Sequence, residues 1–310
     1  MEILHKLNRY IFRRYYKQRL NEMVAPDYPV LLDYAVNSAH RYGYGRPPHP
    51  QLLSILERGR PEYMKRLVAL CQLRESLCKI SDRPTASVEE PFWGQDWFTT
   101  LDAVALYGML VEFRPKRLIE IGSGNSTKFA RRAVRDHSIS TRITSIDPAP
   151  RAEIDLLCDS VIRSPLEEVD LCVFDELEPG DFLFVDSSHR SFPNSDVTVV
   201  FLDVLPRLRA GVALHFHDIF WPRDYPPEWA SRYYSEQYLL GCFLLGDHDS
   251  TVKILMPNAF IAQDAQLAAI CKPLLEIPGV RWLKDSASWP YGIAGGSFWM
   301  QVAERMTEKE

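Results

Sequence analysis

The sequence predicts an α/β protein built on a parallel, doubly wound sheet. Three observations predict it. Short apolar runs alternate with helical segments from residue 97 onward, a glycine-rich turn follows the first run, and polar residues gather where later runs end. Seven runs read as strands, at 117–121, 142–146, 160–163, 181–185, 212–217, 251–256 and 297–302. Helices are expected over 97–113, from Ser126 or Thr127, and over 195–208.

Upstream of residue 91 the signals are helical. The first 20 residues carry Lys6, Arg9, Arg13, Arg14, Lys17 and Arg19 against one acid, Glu2, with Ile3, Leu4, Leu7, Tyr10 and Ile11 at helical spacing. Such a basic amphipathic helix can lie on an anionic membrane surface, but packing on its own domain or on a partner subunit is the favoured reading. Pro26, Pro29, Pro47, Pro48 and Pro50 break any long helix, and helical spacing returns over 50–80. Pro84 to Pro91 reads as a linker. The expected organisation is therefore an N-terminal helical region, 1–90, followed by a sheet-bearing domain, 91–310.

The bulk properties exclude several classes. A net charge of -5 gives no reason to expect a nucleic-acid partner. No run reaches the ~18 apolar residues of a membrane span, and the N-terminus lacks the apolar region and small-residue cleavage site of a signal peptide. Cys71, Cys78, Cys158, Cys172, Cys242 and Cys271 form no CxxC pair, and several lie in apolar runs, as reduced core cysteines of a cytoplasmic protein do. Composition is silent on whether the chain forms a homo-oligomer.

The sharpest motif is Arg-Leu-Ile-Glu-Ile-Gly-Ser-Gly-Asn-Ser-Thr, residues 117–127. A buried strand ends in Gly122-Ser123-Gly124, and a helix opens directly after it. Glycines let a ligand approach the backbone, and the new helix aims free N–H groups at that ligand, with Ser126 or Thr127 available as a cap. A dinucleotide fingerprint wants Gly or Ala where Thr127 stands, and no Gly-Lys-Ser/Thr follows to make a P-loop. The second strand ends at Asp147, followed by Pro148. An acid there is placed to accept hydrogen bonds from both hydroxyls of a ribose, and it can also serve as a helix cap.

Glu120, Gly122, Gly124, Ser126 and Thr127, followed by Asp147 and Pro148, resemble motifs one and two of class I S-adenosylmethionine-dependent methyltransferases, most closely the type-24 methyltransferase family. The resemblance covers roughly residues 91–302, including Phe92 to Trp97, and leaves 1–90 uncovered. It implies a Rossmann-like seven-stranded sheet whose last strand, supplied by 297–302, is inserted antiparallel. It also implies S-adenosyl-L-methionine as cofactor. Glu120, Gly122, Ser123, Gly124, Ser126 and Thr127 would meet the methionine end, and Asp147 would hold the ribose.

Two polar clusters close later strands: Asp186-Ser-Ser-His189, and His215-Phe-His217-Asp218. In an open α/β sheet, ligands bind at such carboxyl ends. Two compatible readings stay open. In one, Asp186, His217 and Asp218 hold Mg²⁺ or Mn²⁺, which acidifies the acceptor hydroxyl. In the other, His189 takes the hydroxyl proton as general base beside Asp186. The layout resembles that of metal-dependent sugar O-methyltransferases acting on macrolides, with His217-Asp218 standing where those enzymes carry Glu-Asp, a loss of one negative charge. His215 is expected to be a packing residue. Residues 220–229, rich in Pro and aromatics, suit a rigid loop over the site, and Trp93, Gln95 and Trp97 suit closure of the cofactor side.

The expected function is methyl transfer to a sugar, glycan or other hydroxylated small molecule. Two alternatives share the fold: a nicotinamide-dependent oxidoreductase, against which Thr127 argues, and a non-catalytic nucleoside-binding protein, against which the polar strand ends argue. Peripheral membrane contact through 1–20 would bring the enzyme to a lipid-linked acceptor.

Overall fold

A computed structural model describes residues 36–247, 251–280 and 289–304. The basic segment 1–20 lies outside the described residues. The chain divides between Ser38 and Ala39, and the sheet belongs to the unit Ala39–Glu310. This division falls well upstream of the composition break near residue 90, because the intervening helices bury their apolar stripes in the same core as the sheet. Helix α1, Pro50–Arg58, opens with Pro at its first position, and the His49 ring accepts from the Leu52 amide. Helix α2, Arg60–Gln72, buries Tyr63, Leu67 and Leu70 along one face. Arg66 ties α2 to the sheet by donating to the Leu255 carbonyl at 2.7 Å. A short α3, Arg74–Leu77, ends this layer.

Helix α4, Thr100–Phe113, is apolar apart from Asp102 from Leu101 to Leu110 and is buried over that stretch. It starts three residues after the expected 97 because the Gln95 side chain accepts from the Trp97 and Phe98 amides and holds them out of the helix. Strand β1, Arg117–Ile121, leads into α5, Asn125–Asp136. Then come β2, Arg142–Ile146, β3, Ser160–Ile162, and β4, Phe182–Val185. The helix expected over 195–208 is broken. Only Asp196–Val199, α6, is α-helical; a π turn covers Val200–Val204 and a 3₁₀ turn Leu205–Arg207. Pro206 lacks an amide and crowds the preceding turn, which explains the loss of the regular ladder. Strand β5, Ala213–Phe216, is followed by α7, Glu236–Gly246, β6, Val252–Pro257, three short helices between Asn258 and Leu275, and β7, Phe298–Val302.

The described residues form a seven-stranded sheet in the order β3-β2-β1-β4-β5-β7-β6. β1 to β5 pair in parallel, and β7 enters antiparallel between β5 and β6, as the resemblance implied. β4 and β5 are buried along their whole length, the pattern of strands covered on both faces. The strand order reverses between β1 and β4, and a crevice opens there at the carboxyl ends.

Among the described residues no helix is long and apolar enough to cross a membrane. All six cysteines are free. Cys271 is buried, whereas Cys172 and Cys242 are exposed, so the expectation of core cysteines fails for those two.

Candidate active site

The switch point positions the glycine loop. Gly122 has φ +76°, and a Cβ there would fall on the carbonyl oxygen of Asp186, so only glycine lets the β1 and β4 tips lie this close. Beneath the loop, Thr127 is buried at the third position of α5. Its hydroxyl donates to Glu120 Oε2 at 2.6 Å and accepts from the Gly124 amide at 3.1 Å. Thr127 thus caps the helix from inside, through the loop, and needs the strand carboxylate to do so. Burial pushes Glu120 up to about 7, an effect that the Thr127 hydroxyl reduces and the Asp186 and Asp147 charges increase. At the end of β2, Asp147 accepts from the Ser123 amide at 2.8 Å through Oδ2 and from the Ala149 amide at 2.8 Å through Oδ1. The carboxylate is locked in place with acceptor capacity left on each oxygen.

These residues surround one cavity of about 450 Å³. Gly122, Ser123, Gly124, Ser126, Asp147 and Asp186 line it; Glu120 and Thr127 lie behind its wall, fully buried. Trp97 and Phe98 form another wall, and the Arg151 guanidinium lies over the Trp97 ring at 4.4 Å. Gln95 braces this wall through Asn125, which donates to it at 3.1 Å, whereas Trp93 packs inward on Phe129.

Beside the cavity the β4 and β5 tips bring together the second group of expected residues. His189 Nδ1 meets Glu236 Oε2 at 2.8 Å, and its Nε2 stands 3.4 Å from both Asp186 and Asp218. His217 Nδ1 stands 3.3 Å from Asp186 and 3.5 Å from Asp218, while its Nε2 is 3.4 Å from Asp102. Four carboxylates therefore enclose two imidazoles. Burial alone would lower both histidines. The Asp186 and Glu236 hydrogen bonds and the Asp218 charge instead hold His189 well above its usual value, and the Asp186 and Asp218 charges do the same for His217. Burial raises Asp218 and Glu236. It would raise Asp186 and Asp102 too, but His217 and His189 keep Asp186 well below the carboxylate range, and His217, with Thr99 and Gly296, holds Asp102 at about 2. His189 and Asp218 both adopt left-handed backbone, at φ 59° and 56°, a strain of about 1–3 kcal/mol each that the cluster must offset.

This geometry bears on two expectations. With carboxylates beside both nitrogens, His189 is held toward its protonated form. Asp186, with a side chain 30% exposed, is the member of the cluster that lines the cavity. The set Asp186, His217 and Asp218 is assembled, with His217 Nδ1 directed at the two carboxylates. Among the described residues no group of three or more His, Cys, Asp or Glu is disposed to hold a metal ion. As arranged, His217 stands between the two acids as their ion-pair partner.

Two members of the cluster escaped the sequence reading. Asp102, fully buried, accepts from the Gly296 and Ser297 amides at 2.8 and 2.7 Å and from Asn258 at 2.8 Å. Its signal was an acid inside the otherwise apolar run 101–111. Glu236 had no comparable signal. His215 is a buried packing residue, stacked on Phe184 at 3.7 Å and bonded to the Ser297 hydroxyl at 2.8 Å. In the loop after β5, Phe220, Trp221 and Tyr225 are buried; Gln237 ties the loop to α7 by accepting from the Phe220 amide at 2.9 Å.

The model of a methyltransferase domain family, type 24, matches residues 119–219, which run from β1 past β5 and contain the glycine loop, Asp147, Asp186 and His217-Asp218. An uncharacterized protein of Archaeoglobus fulgidus is 32% identical over 87 residues, 26% of this chain and 39% of the relative; the chain thus spans about two fifths of that protein's length. Among solved structures, the chain is similar to the S-adenosylhomocysteine-bound methyltransferase PaMTH1 of Podospora anserina (13% identity, 81% of this chain and 96% of that one, TM-score 0.36). It is also similar to the MycE methyltransferase of the mycinamycin pathway, solved with Mg, S-adenosylhomocysteine and mycinamycin VI (15% identity, 65% and 49%, TM-score 0.34). The motif-bearing strand ends lie within residues 119–219, the stretch that the methyltransferase-domain model matches, and they open on a single crevice.

Proposed function

We propose that the cavity at the β1–β4 switch point holds S-adenosylmethionine and that a hydroxyl of a sugar, glycan or other small molecule receives the methyl group. The observation that carries this reading is the convergence of Gly122, Asp147 and Asp186 on one cavity. The loop amides and the start of α5 face the methionine end, with Glu120 and Thr127 holding the loop. The ribose hydroxyls donate to Asp147. Trp97 and Phe98 exclude water, which protects the donor.

In the acceptor step, a hydroxyl oxygen attacks the donor methyl carbon as the carbon–sulfur bond breaks, leaving S-adenosylhomocysteine. Attack by a neutral hydroxyl yields a protonated ether, a strong acid, so even a carboxylate of low basicity takes its proton. Asp186 is the ionised carboxylate at the cavity, and we assign that proton to it. His189 and His217 hold Asp186 in place from behind. The contribution of the protein is mainly alignment of oxygen, carbon and sulfur.

Calorimetry with S-adenosylhomocysteine tests the cofactor assignment. The wild-type chain should bind it, Asp147→Ala should weaken binding at least about tenfold, and NADH should not bind. Equal affinity in the Asp147 variant would remove that carboxylate from the site. A screen of acceptor extracts with labelled donor, followed by mass identification of the product, then names the acceptor.

A further inference from the structure

We infer that the methyl acceptor carries an oxyanion, a phosphate or a carboxylate, and that Arg190 and Arg232 receive it; this rests on the methyl-transfer reading above. The two guanidinium groups flank one ring. Arg190 lies 5.0 Å and Arg232 5.5 Å from the centre of Tyr234, and Arg232 also stacks over Trp229 at 4.1 Å. Backbone carbonyls fix Arg190: Nε donates to Arg232 O at 3.0 Å and a terminal nitrogen to Ser188 O at 3.3 Å. Among the described residues, neither arginine has a carboxylate within ion-pair distance, although most other arginines here pair with one.

Two like charges held around one ring without a counter-ion repel each other. An anion from outside relieves that repulsion, and a guanidinium stacked on an aromatic face keeps its donor edge free to bind one in bidentate fashion. The position is as informative as the charge. Tyr234 also packs on His189, with ring centres 4.8 Å apart. The Arg190 guanidinium is therefore within about 10 Å of the His189 ring, whose Nε2 faces Asp186 at the cofactor cavity. A monosaccharide bearing one phosphate or carboxylate spans that gap. Its hydroxyl would meet Asp186 and its anion the two arginines. The carboxylate cluster repels the anionic end, so charge alone orients the acceptor.

The experiment uses the full chain saturated with S-adenosylhomocysteine and titrated at low salt with glucose, glucose 1-phosphate and glucuronate. At least one anionic probe should bind about ten- to a hundredfold more tightly than glucose. The stronger of the two identifies phosphate or carboxylate as the source. Arg190→Gln/Arg232→Gln should abolish that preference with S-adenosylhomocysteine affinity unchanged, and the lysine pair should restore part of it. Equal binding of all three probes, no binding of any, or an anion preference that survives in the glutamine variant would overturn the inference. Failure of S-adenosylhomocysteine itself to bind would instead sink the methyl-transfer reading.

Discussion

Glu120 offers a quantitative test of how the glycine loop is built. Its carboxyl is fully buried, with Oε2 bonded to Thr127 and Oε1 without a partner. Burial raises it from 4.5 to about 7. Below pH 4.5 it is protonated in both the folded and the unfolded chain and costs nothing. Between 4.5 and 7 the unfolded chain releases this proton and the folded chain retains it, so stability falls as pH rises; above 7 the penalty is complete. A shift of this size corresponds to about 3 kcal/mol. Glu120→Gln cannot titrate and keeps an acceptor for Thr127. Urea unfolding of the ligand-free protein at a series of pH values should show the stability difference between variant and wild type moving by about 3 kcal/mol in favour of Gln from pH 4.5 to 7.5. Other groups cancel in the difference. A difference that stays flat, or moves the other way, would refute the claim that a buried, raised carboxylate underlies the loop.

Gly122→Ala should place a methyl group against the Asp186 carbonyl and an L-residue at φ +76°, costing about 1–2 kcal/mol for the backbone alone. Calorimetry should show S-adenosylhomocysteine affinity falling at least about tenfold, and unchanged affinity would mean that the two strand tips are not held together. Glu236→Gln should lower kcat by about ten- to a hundredfold with KM little changed, because it alters the charge around His189 without touching the cavity; steady-state kinetics with unaltered kcat would exclude that role. Exhaustive chelation with EDTA should leave turnover unchanged, since His217 occupies the position of positive charge. Loss of activity that Mg²⁺ or Mn²⁺ restores would return Asp186, His217 and Asp218 to metal binding.

The sheet was legible because each strand is a local apolar run with a polar stop. β1 and β2 fall where their residues place them, and the glycine loop and Asp147 follow as immediate neighbours of those strands. The end of the 195–208 segment was misread because apolar spacing persists across Pro206 while the hydrogen-bond ladder does not. The charge environment of His189 was not legible for a different reason. His189 looks like a base when only Asp186 and Asp218 are known to be nearby. Its third partner, Glu236, is 47 residues away and enters from α7, a contact that no local pattern announces. Asp102 likewise acquires its role only when α4 meets the turn into β7. A residue's charge state is set by every element packed around it, whereas motif spacing reports only one.

The antiparallel insertion of β7 has a consequence for biosynthesis. The amides of Gly296 and Ser297 satisfy Asp102, and the Gly296 carbonyl accepts from Ile219, next to Asp218. A ribosome-bound chain that has not yet extruded these residues leaves a desolvated acid without its donors and two central strand edges bare. The site must therefore wait for residues 296–297 to be made, and a product truncated a few residues before Gly296 should be inert although the glycine loop, Asp147, Asp186 and Asp218 are already in the chain.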